Sequence, residues 1–221
     1  MKNQSLSKTI VRVSFILFSL ATLYYLLNKK GYVPPINYLL SSLTSTQNVK
    51  LISSRKKLLN YNLPITEIIT SSIDKSQTAI LIEKSQYRLT IYYQDQPIKS
   101  YPVVFGANPT GDKLQEGDMK TPEGIFKVRD LYPHSMWSKF IWLDYPNHDS
   151  WSKHLQAKKS GKIPLSAAIG REIGIHGVPH NSNFLIDVQN NWTWGCISLK
   201  NKDVDEIYTF IEVGIIVKIV P

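Results

Sequence analysis

The chain has 221 residues, of which 43% are hydrophobic and 11% aromatic, so it can bury a core and is expected to hold one principal domain with an extension. Its net charge of +9 favours an anionic partner such as nucleic acid, a membrane surface or an acidic cell envelope. The basic residues are scattered and match no nucleic-acid-binding motif, so no nucleic-acid partner is predicted. A single cysteine excludes an internal disulfide.

An apolar run close to the N-terminus extends from Ile10 to Leu27 and is closed by Lys29 and Lys30. About 18 residues is the lower limit for spanning a bilayer. Residues 19–21 could serve as a cleavage site for a signal peptide, but the apolar run continues past them. Residues 1–30 are therefore predicted to be a signal anchor or a signal peptide, with the uncleaved anchor favoured. This prediction gives the chain a membrane partner. A place in the cell envelope, anchored in the inner membrane facing the periplasm or exported, is expected mainly from the chemistry described below.

The segment that follows is expected to connect this anchor to the main domain. Gly31–Pro35 cannot continue a helix because it contains two prolines. Residues 31–77 are rich in Ser, Thr, Asn and Leu and carry no recognisable chemistry, so they are predicted to be a linker with some short helix.

From Thr78 onward the sequence predicts a mostly β domain, a sandwich or a barrel-like sheet, with one short late helix. A turn is expected at Gln94–Pro97, and the apolar spacing of Asn201–Val213 is helical. The predicted strands are Ala79–Ile82, Arg88–Tyr93, Lys99–Gly106, Gly124–Val128, Phe140–Leu143, Ile173–His176 and Ile215–Val220.

Cys196, the only cysteine, directly follows a glycine and has histidines earlier in the chain, which is the outline of a thiol nucleophile. A thiol with an ordinary pKa needs a nearby base or positive charge. His176 ends a predicted strand and precedes Gly177, which suits an imidazole that projects into a cleft. His180 competes with it, and spacing alone does not separate the two. The alternative for Cys196 is a buried and inert thiol.

The other three histidines, His134, His148 and His154, lie in a stretch rich in Trp, Tyr and Lys and are predicted to have surface or loop roles. His176 and His180 have the i, i+4 spacing of a zinc motif. Glycine and proline between them disfavour a helix, and no glutamate follows the first histidine. The glycines and the lysine of residues 106–113 lack the spacing of a phosphate-binding loop. No metal and no cofactor are predicted.

Three stretches occur in an order that resembles the L,D-transpeptidase family (the YkuD or ErfK/YbiS/YcfS/YnhG type), over residues Thr78 to Pro221. The first is Tyr101–Gly106, which follows a predicted strand pair. The second is Lys113–Phe126, which contains Thr-Pro-x-Gly-x-Phe after Glu-Gly-Asp. The third joins Ile175–Gly177 with Trp192–Leu199 and is the most specific of the three.

The resemblance implies an L,D-transpeptidase-like β-sandwich at residues 78–221 in which Cys196 is the nucleophile. His176 would be the base, preferred over His180 because it matches the family's His-Gly. The backbone carbonyl of Gly177 would orient the imidazole. Backbone N–H groups of Gly195 and Cys196 would form the oxyanion hole.

The resemblance also implies a peptidoglycan stem peptide as substrate and a role in cell-wall biogenesis and cell shape. The thiolate would attack the carbonyl of the third, diamino-acid residue and expel the terminal D-alanine, after which an amine of another stem or of a protein takes the acyl group. If water takes it instead, the same site is a carboxypeptidase or an endopeptidase. A third possibility is a catalytically silent module that binds anionic wall polymers.

Two departures from the family pattern lie beside the cysteine. The common form is Ser-His-Gly-Cys with an arginine two residues later, whereas Trp194 replaces that histidine and Ser198 replaces that arginine. Trp142, Trp192 and Trp194 could line the cleft or belong to the core, and Lys139 is a further candidate for binding a stem-peptide carboxylate. The predicted oxyanion and substrate-binding residues are Thr193, Trp194, Gly195, His180 and Arg171.

Overall fold

The computed structural model describes residues 2–29, 58–70 and 72–221. The chain divides into two compact units, Met1–Ser45 and Thr46–Pro221. In the first unit, helix α1 spans Lys2–Lys29. Within the described ranges, no helix combines the length and the apolar character that crossing a membrane requires, so the predicted membrane helix is not confirmed. The predicted break at Gly31–Pro35 lies outside the described residues.

The described part of the second unit is built on an eight-stranded sheet, which confirms the predicted mostly β architecture. The strand order is β3-β2-β1-β8-β4-β5-β6-β7. The strands are β1 Thr78–Glu83, β2 Arg88–Tyr93, β3 Gln96–Pro102, β4 Gly124–His134, β5 Ser138–Leu143, β6 Gly174–His176, β7 Ile197–Ser198 and β8 Ile216–Val220.

The two edges of this sheet are joined to each other. Val104, two residues beyond the end of β3, exchanges backbone hydrogen bonds of 3.0 and 2.9 Å with Ser198 in β7. A second bridge links Gly106 to Thr193. The sheet therefore folds over on itself, and the segment that precedes Cys196 lies against the segment that leaves β3.

The hairpin between β2 and β3 is tighter than predicted. Gln94 and Asp95 have φ values of 48° and 62°, the left-handed pair that a two-residue hairpin turn requires. The strand β3 therefore begins at Gln96, inside the predicted turn, and it ends at Pro102, so the predicted strand Lys99–Gly106 is cut short.

Four α-helices accompany the sheet in the described part of the second unit: α2 Ile65–Ile68, α3 His148–Lys159, α4 Phe184–Asp187 and α5 Asn201–Phe210. Two 3-10 helices, Lys75–Gln77 and Lys84–Gln86, flank β1. The helix α5 is the predicted late helix and ends three residues earlier than expected. The helix α3 was not predicted. Its start is capped by Asn147, whose side-chain oxygen accepts a hydrogen bond of 3.0 Å from the Ser150 N–H.

The surface role predicted for His154 is wrong. Its side chain lies on the inner face of α3, 1% exposed, and Nδ1 is 2.6 Å from the carbonyl oxygen of Leu114. A polar stretch with little apolar periodicity gave no sign that one of its histidines would be buried. His148, by contrast, is almost fully exposed.

The core lies between the folded sheet and α5, and alternate residues of the strands supply it. In β1, Ile80 and Ile82 are buried, and Val204 and Ile207 of α5 pack into the same cluster. Ile65 of α2 is also fully buried in it. Burial of one such side chain stabilises the fold by about 1.5–3 kcal/mol, so α2 is part of this core.

A buried polar cluster fastens the segment around α2 to the sheet. The Glu206 carboxylate accepts hydrogen bonds from Lys99 Nζ at 2.7 Å, from Tyr101 Oη at 2.8 Å and from the backbone N–H of Ile65 at 2.7 Å. Lys99 also donates to the carbonyl of Leu63 at 2.5 Å. Because Glu206 lies on α5 and Lys99 on β3, one carboxylate holds three separate parts of the chain together.

Candidate active site

The pairing of strands decides which side chains share the face that carries the site. Phe140 is opposite His176, and His176 is opposite Ser198. Paired residues project to the same face, and the period along a strand is two. Phe140, His176 and Ser198 therefore share one face, and Cys196 directly precedes β7. The paired Ile175 and Ile197 point into the core, both 0% exposed.

The hydrogen bond of His176 defines its tautomer. Its Nδ1 is 2.6 Å from the carbonyl oxygen of Gly177, and a carbonyl can only accept, so Nδ1 carries the proton. The Nε2 lone pair of the neutral imidazole is left to accept another proton. Ser198 Oγ donates to the same carbonyl at 3.1 Å.

Aromatic rings enclose the His176 imidazole. Trp137 stacks on it with ring centroids 4.3 Å apart, Phe140 stacks at 5.8 Å, and Trp192 meets it edge-on at 5.6 Å. Burial lowers the pKa of His176 to about 4, against the opposing effect of the Gly177 carbonyl, and the charge of His134 adds to the lowering. His176 is therefore a neutral base at neutral pH.

The turn that presents Cys196 is held by Thr193. Thr193 Oγ1 donates to the carbonyl of Cys196 at 2.6 Å and accepts from the Gly195 N–H at 3.2 Å. Gly195 has φ 141°, and a methyl group there would lie 2.7 Å from the Lys120 carbonyl oxygen. Only glycine meets both conditions. Of the two predicted oxyanion donors, the Gly195 N–H is thus already engaged.

The sulfur of Cys196 is half-buried and donates to the carbonyl of Glu172 at 3.5 Å. Burial raises the pKa of the Cys196 thiol to about 11. A backbone hydrogen bond with Gly174 and the charge of Lys113 oppose that rise, and the Glu172 carboxylate adds to it. At neutral pH the Cys196 thiol and the His176 imidazole are therefore both uncharged.

Gly177 is required by close packing. A methyl group there would lie 2.1 Å from Asn201 Oδ1 and 2.5 Å from the Trp137 carbonyl oxygen. The Gly177 N–H donates to that Trp137 carbonyl at 2.9 Å, and Asn201 Oδ1 accepts from the Val178 N–H at 2.9 Å. These contacts fix the carbonyl that orients His176.

The remaining predicted residues are distributed unevenly around the site. Trp194 is 49% exposed beside Cys196, whereas Trp192 is buried against His176. Arg171 is exposed, one residue before Glu172. His180 is exposed, and no hydrogen bond or ring contact of the described ranges joins it to His176 or Cys196. Lys139 lies over the ring of Tyr208 on the α5 side.

Sequence reasoning missed the aromatic enclosure. Trp137 lies in the irregular turn between β4 and β5, where Ser138 has φ 61°, so no periodicity indicated its direction. Phe140 was placed in a predicted strand, but its contact with His176 depends on a register that one sequence does not give. Among the described residues, no cluster of three or more His, Cys, Asp or Glu side chains could hold a metal ion.

Known proteins resemble this chain in sequence and in fold. The L,D-transpeptidase catalytic domain (YkuD) family matches residues 77–219. The Escherichia coli (strain K12) protein named "Putative L,D-transpeptidase YafK" is 25% identical over 154 residues, 67% of this chain and 52% of YafK. The chain thus spans about half the length of the curated relatives it matches.

Two solved structures were compared with the chain, and the first of them, with a TM-score of 0.50, shows a similar fold. The K307A mutant of the helical cell shape determining protein Pgp2 from Campylobacter jejuni is 22% identical with a TM-score of 0.50, covering 67% of this chain and 48% of Pgp2. L,D-transpeptidase 3 from Mycobacterium tuberculosis, in complex with a faropenem-derived adduct, is 13% identical with a TM-score of 0.44, covering 66% of this chain and 60% of that protein. The matched residues include β1, the His-Gly of β6 and the Gly-Cys before β7, and the chain belongs to the L,D-transpeptidase catalytic domain family.

Proposed function

We propose that the chain is a peptidoglycan L,D-transpeptidase in which Cys196 is the nucleophile and His176 the base. The observation that carries this proposal is the Nδ1 hydrogen bond of His176 to Gly177, on the strand paired with β7, which Cys196 directly precedes. It leaves the Nε2 lone pair of His176 free as a proton acceptor, and Cys196 carries the only thiol of the chain.

In the acylation step, Nε2 of His176 takes the thiol proton as the sulfur attacks the carbonyl carbon of the third residue of a stem tetrapeptide. The carbonyl oxygen becomes an oxyanion, which the backbone N–H of Cys196 stabilises. The carbon–nitrogen bond to the terminal D-alanine then breaks. The imidazolium gives its proton to the leaving amine, so free D-alanine departs and a thioester remains on Cys196.

In the second step an amine attacks the thioester, His176 takes a proton from that amine, and the sulfur leaves and is reprotonated. With the side-chain amine of another stem peptide, the product is a cross-link between two third residues; with a protein amine, it is an attached protein. With water, it is a tripeptide, and the enzyme is then a carboxypeptidase or an endopeptidase.

The two departures from the family pattern change where the substrate can be held. Ser198 is fully buried and donates to Gly177, so this position supports the base instead of binding a substrate. Recognition of the donor then falls to exposed groups next to the sulfur. Trp194 offers an apolar face, and Arg171 offers a charge for a stem-peptide carboxylate.

This activity would be exercised in the cell envelope, where peptidoglycan is. The net charge of +9 supports binding to a wall whose stem peptides carry carboxylates. The same charge would serve a catalytically silent wall-binding module, and covalent labelling separates that alternative from the proposal.

The test is an intact-mass measurement of the full-length chain after incubation with a carbapenem, whose lactam ring mimics the reactive amide. We expect one adduct of the carbapenem's mass on the wild type and none on Cys196→Ala. A folded wild type that gains no mass would support the silent module and end the proposal of catalysis.

Product analysis then separates transfer from hydrolysis. The wild type is incubated with a disaccharide tetrapeptide, with and without an acceptor amine. A cross-linked dimer that appears only with the acceptor supports transpeptidation. Tripeptide alone in both reactions assigns the site to hydrolysis.

A further inference from the structure

We propose that Lys113 is a positioning residue for Cys196: its buried ammonium, held by Asp118 behind the nucleophile, favours the thiolate form of the sulfur. This inference rests on the proposed role of Cys196 as the nucleophile. It gives a chemical role to the Lys113–Phe126 stretch, which carries neither the nucleophile nor the base.

The burial of Lys113 is nearly complete. Its side chain is 3% exposed, and Nζ donates to Asp118 Oδ1 at 2.8 Å and to the Gln115 carbonyl at 3.2 Å. An ammonium taken out of water is costly unless it is paired, so its presence at this depth calls for a reason. The pair with Asp118 offsets the cost without removing the charge.

Asp118 organises the loop around this ammonium. Its carboxylate also accepts from the backbone N–H groups of Leu114 at 2.8 Å, Gln115 at 3.1 Å and Lys120 at 3.0 Å. Burial by itself would raise the pKa of Asp118, but Lys113 and these backbone bonds together hold it below its ordinary value. The carboxylate therefore stays charged and the loop keeps one shape.

This loop lies directly behind the nucleophile. The position of a methyl group on Gly195 is 2.7 Å from the carbonyl oxygen of Lys120. The position of a methyl group on Gly170 is 3.5 Å from Lys113 Cε. Gly170 begins the short segment that leads to Glu172, whose carbonyl accepts from the sulfur of Cys196. The charged side chain of Lys113 thus packs beneath the segment that holds the thiol.

The electrostatic consequence follows from the resting state of the pair. Because burial raises the pKa of the Cys196 thiol, formation of a thiolate needs a nearby positive charge at the moment of attack. The charge of Lys113 lowers the pKa of that thiol, and His176 becomes positive only after it has taken the proton. The Lys113 ammonium, in contrast, is already positive before the thiol proton is transferred.

The test uses the fact that Cys196 is the only cysteine in the chain. The full-length protein is alkylated with iodoacetamide at pH 8.5, and the rate is followed by intact mass. Thiolate fraction sets this rate, so Lys113→Met should slow alkylation by about three- to tenfold, equivalent to a pKa rise of about half a unit to one unit.

Lys84→Met is the matched control. Lys84 is equally buried, with a side chain 3% exposed and Nζ 2.7 Å from Glu123 Oε1, and it donates to Gly111 and Thr121 at the two ends of the same loop. If loop order alone matters, Lys84→Met slows alkylation as much as Lys113→Met does. We expect Lys84→Met to lower the thermal midpoint and to leave the alkylation rate within about twofold.

Asp118→Asn supplies a second route if Lys113→Met does not fold. This substitution removes the negative charge that opposes the Lys113 ammonium. The positive charge of Lys113 then acts undiminished on the Cys196 thiol, so the alkylation rate must not fall. An unchanged rate in Lys113→Met, an equal slowing in Lys84→Met, or a slowing in folded Asp118→Asn would each overturn the proposal. Alkylation needs no peptidoglycan substrate, so its outcome is independent of whether the transpeptidase proposal holds.

Discussion

The indole of Trp137 stacks on the imidazole of His176, with centroids 4.3 Å apart and planes inclined by 24°. This contact covers a ring that also donates to the Gly177 carbonyl at 2.6 Å. Burial keeps the imidazole uncharged, and the hydrogen bond keeps its proton on Nδ1. The two effects together hold the free lone pair of His176 ready at neutral pH.

Replacing Trp137 should restore an ordinary histidine titration. In the wild type the pKa of His176 is about 4, so acylation by a carbapenem should stay at its plateau down to about pH 5. In Trp137→Leu water reaches the His176 imidazole, so the pKa of His176 should rise toward about 6.5. The pH below which the acylation rate falls should rise by the same amount. Trp194→Leu is the control, because Trp194 is exposed. If the acylation rate falls at the same low pH in all three proteins, burial by Trp137 does not set the pKa of His176.

Substituting the two competing histidines should have very different effects. His176→Gln should slow carbapenem acylation by about 10²–10⁴-fold, the usual contribution of a general base, while His180→Gln should change it by less than about twofold. Stopped-flow fluorescence measures both rates. A comparable loss in His180→Gln would mean that the exposed histidine reaches the thiol when substrate binds.

Much of the fold could be predicted from the sequence because its strands alternate apolar and polar residues. Ala79–Ile82 and Arg88–Tyr93 were found within a residue of the observed β1 and β2. The ends of elements were harder, because β3 begins in a turn of Gln94 and Asp95 that lacks the usual Asn-Gly signature. The helix α3 was missed because its residues show weak apolar periodicity and its start depends on a cap.

In the candidate site, Cys196 and His176 could be predicted because nucleophile and base have recognisable neighbours along the chain. The parallel pairing of β6 with β7 brings their two stretches of chain together, and sequence patterns do not specify that pairing. The rings of Trp137 and Phe140 come from other strands and turns. Such side chains carry no local signal of the residue that they will enclose.

Gly177→Ala should damage both packing and chemistry. The added methyl group would lie 2.1 Å from Asn201 Oδ1, so the backbone must shift, at a cost of about 1–3 kcal/mol. The same shift displaces the carbonyl that holds His176 and should slow acylation. Gly161→Ala is the comparison: its φ of 71° also disfavours alanine, but nothing lies within 4 Å of the added group. Urea unfolding and acylation rates should show that only Gly177→Ala loses activity.

The raised pKa of the half-buried Cys196 thiol should make the fold less stable at alkaline pH. The folded pKa of Cys196 is raised to about 11 from an unfolded value of 9.0. Between these values the unfolded chain loses a proton that the folded chain keeps, so the free energy of unfolding falls as pH rises, by up to about 2 kcal/mol.

Cys196→Ala isolates this contribution, since the raised pKa values of the buried Tyr101 and Tyr145 act in the same direction in both proteins. Urea unfolding should show a constant difference in stability between wild type and Cys196→Ala from about pH 6 to 8. From about pH 9 to 11 the free energy of unfolding of the wild type should fall relative to that of Cys196→Ala. A difference that stays flat to pH 11 would show that the thiol is solvated.

Glu206→Gln should destabilise the protein by about 3–5 kcal/mol, because Lys99 would keep its buried charge and lose its partner at 2.7 Å. The expected signal is a lower midpoint of thermal unfolding measured by circular dichroism. Glu83→Gln removes the partner of Arg88 from a more exposed pair and should cost about 1 kcal/mol or less. Similar losses in both variants would show that the Glu206 cluster is no stronger than an ordinary surface pair.

The parallel pairing of β1 with β8 places the first strand of the domain beside the last, near the middle of the sheet. During synthesis, β1 and β2 are made long before β8. The edges of β1 and β4 that pair with β8 therefore stay unpaired until the last residues of the domain have been made. Contacts this distant in sequence make folding slow and leave unpaired strand edges exposed. Removing residues 216–221 should accordingly abolish protease resistance of the whole domain, instead of loosening one edge.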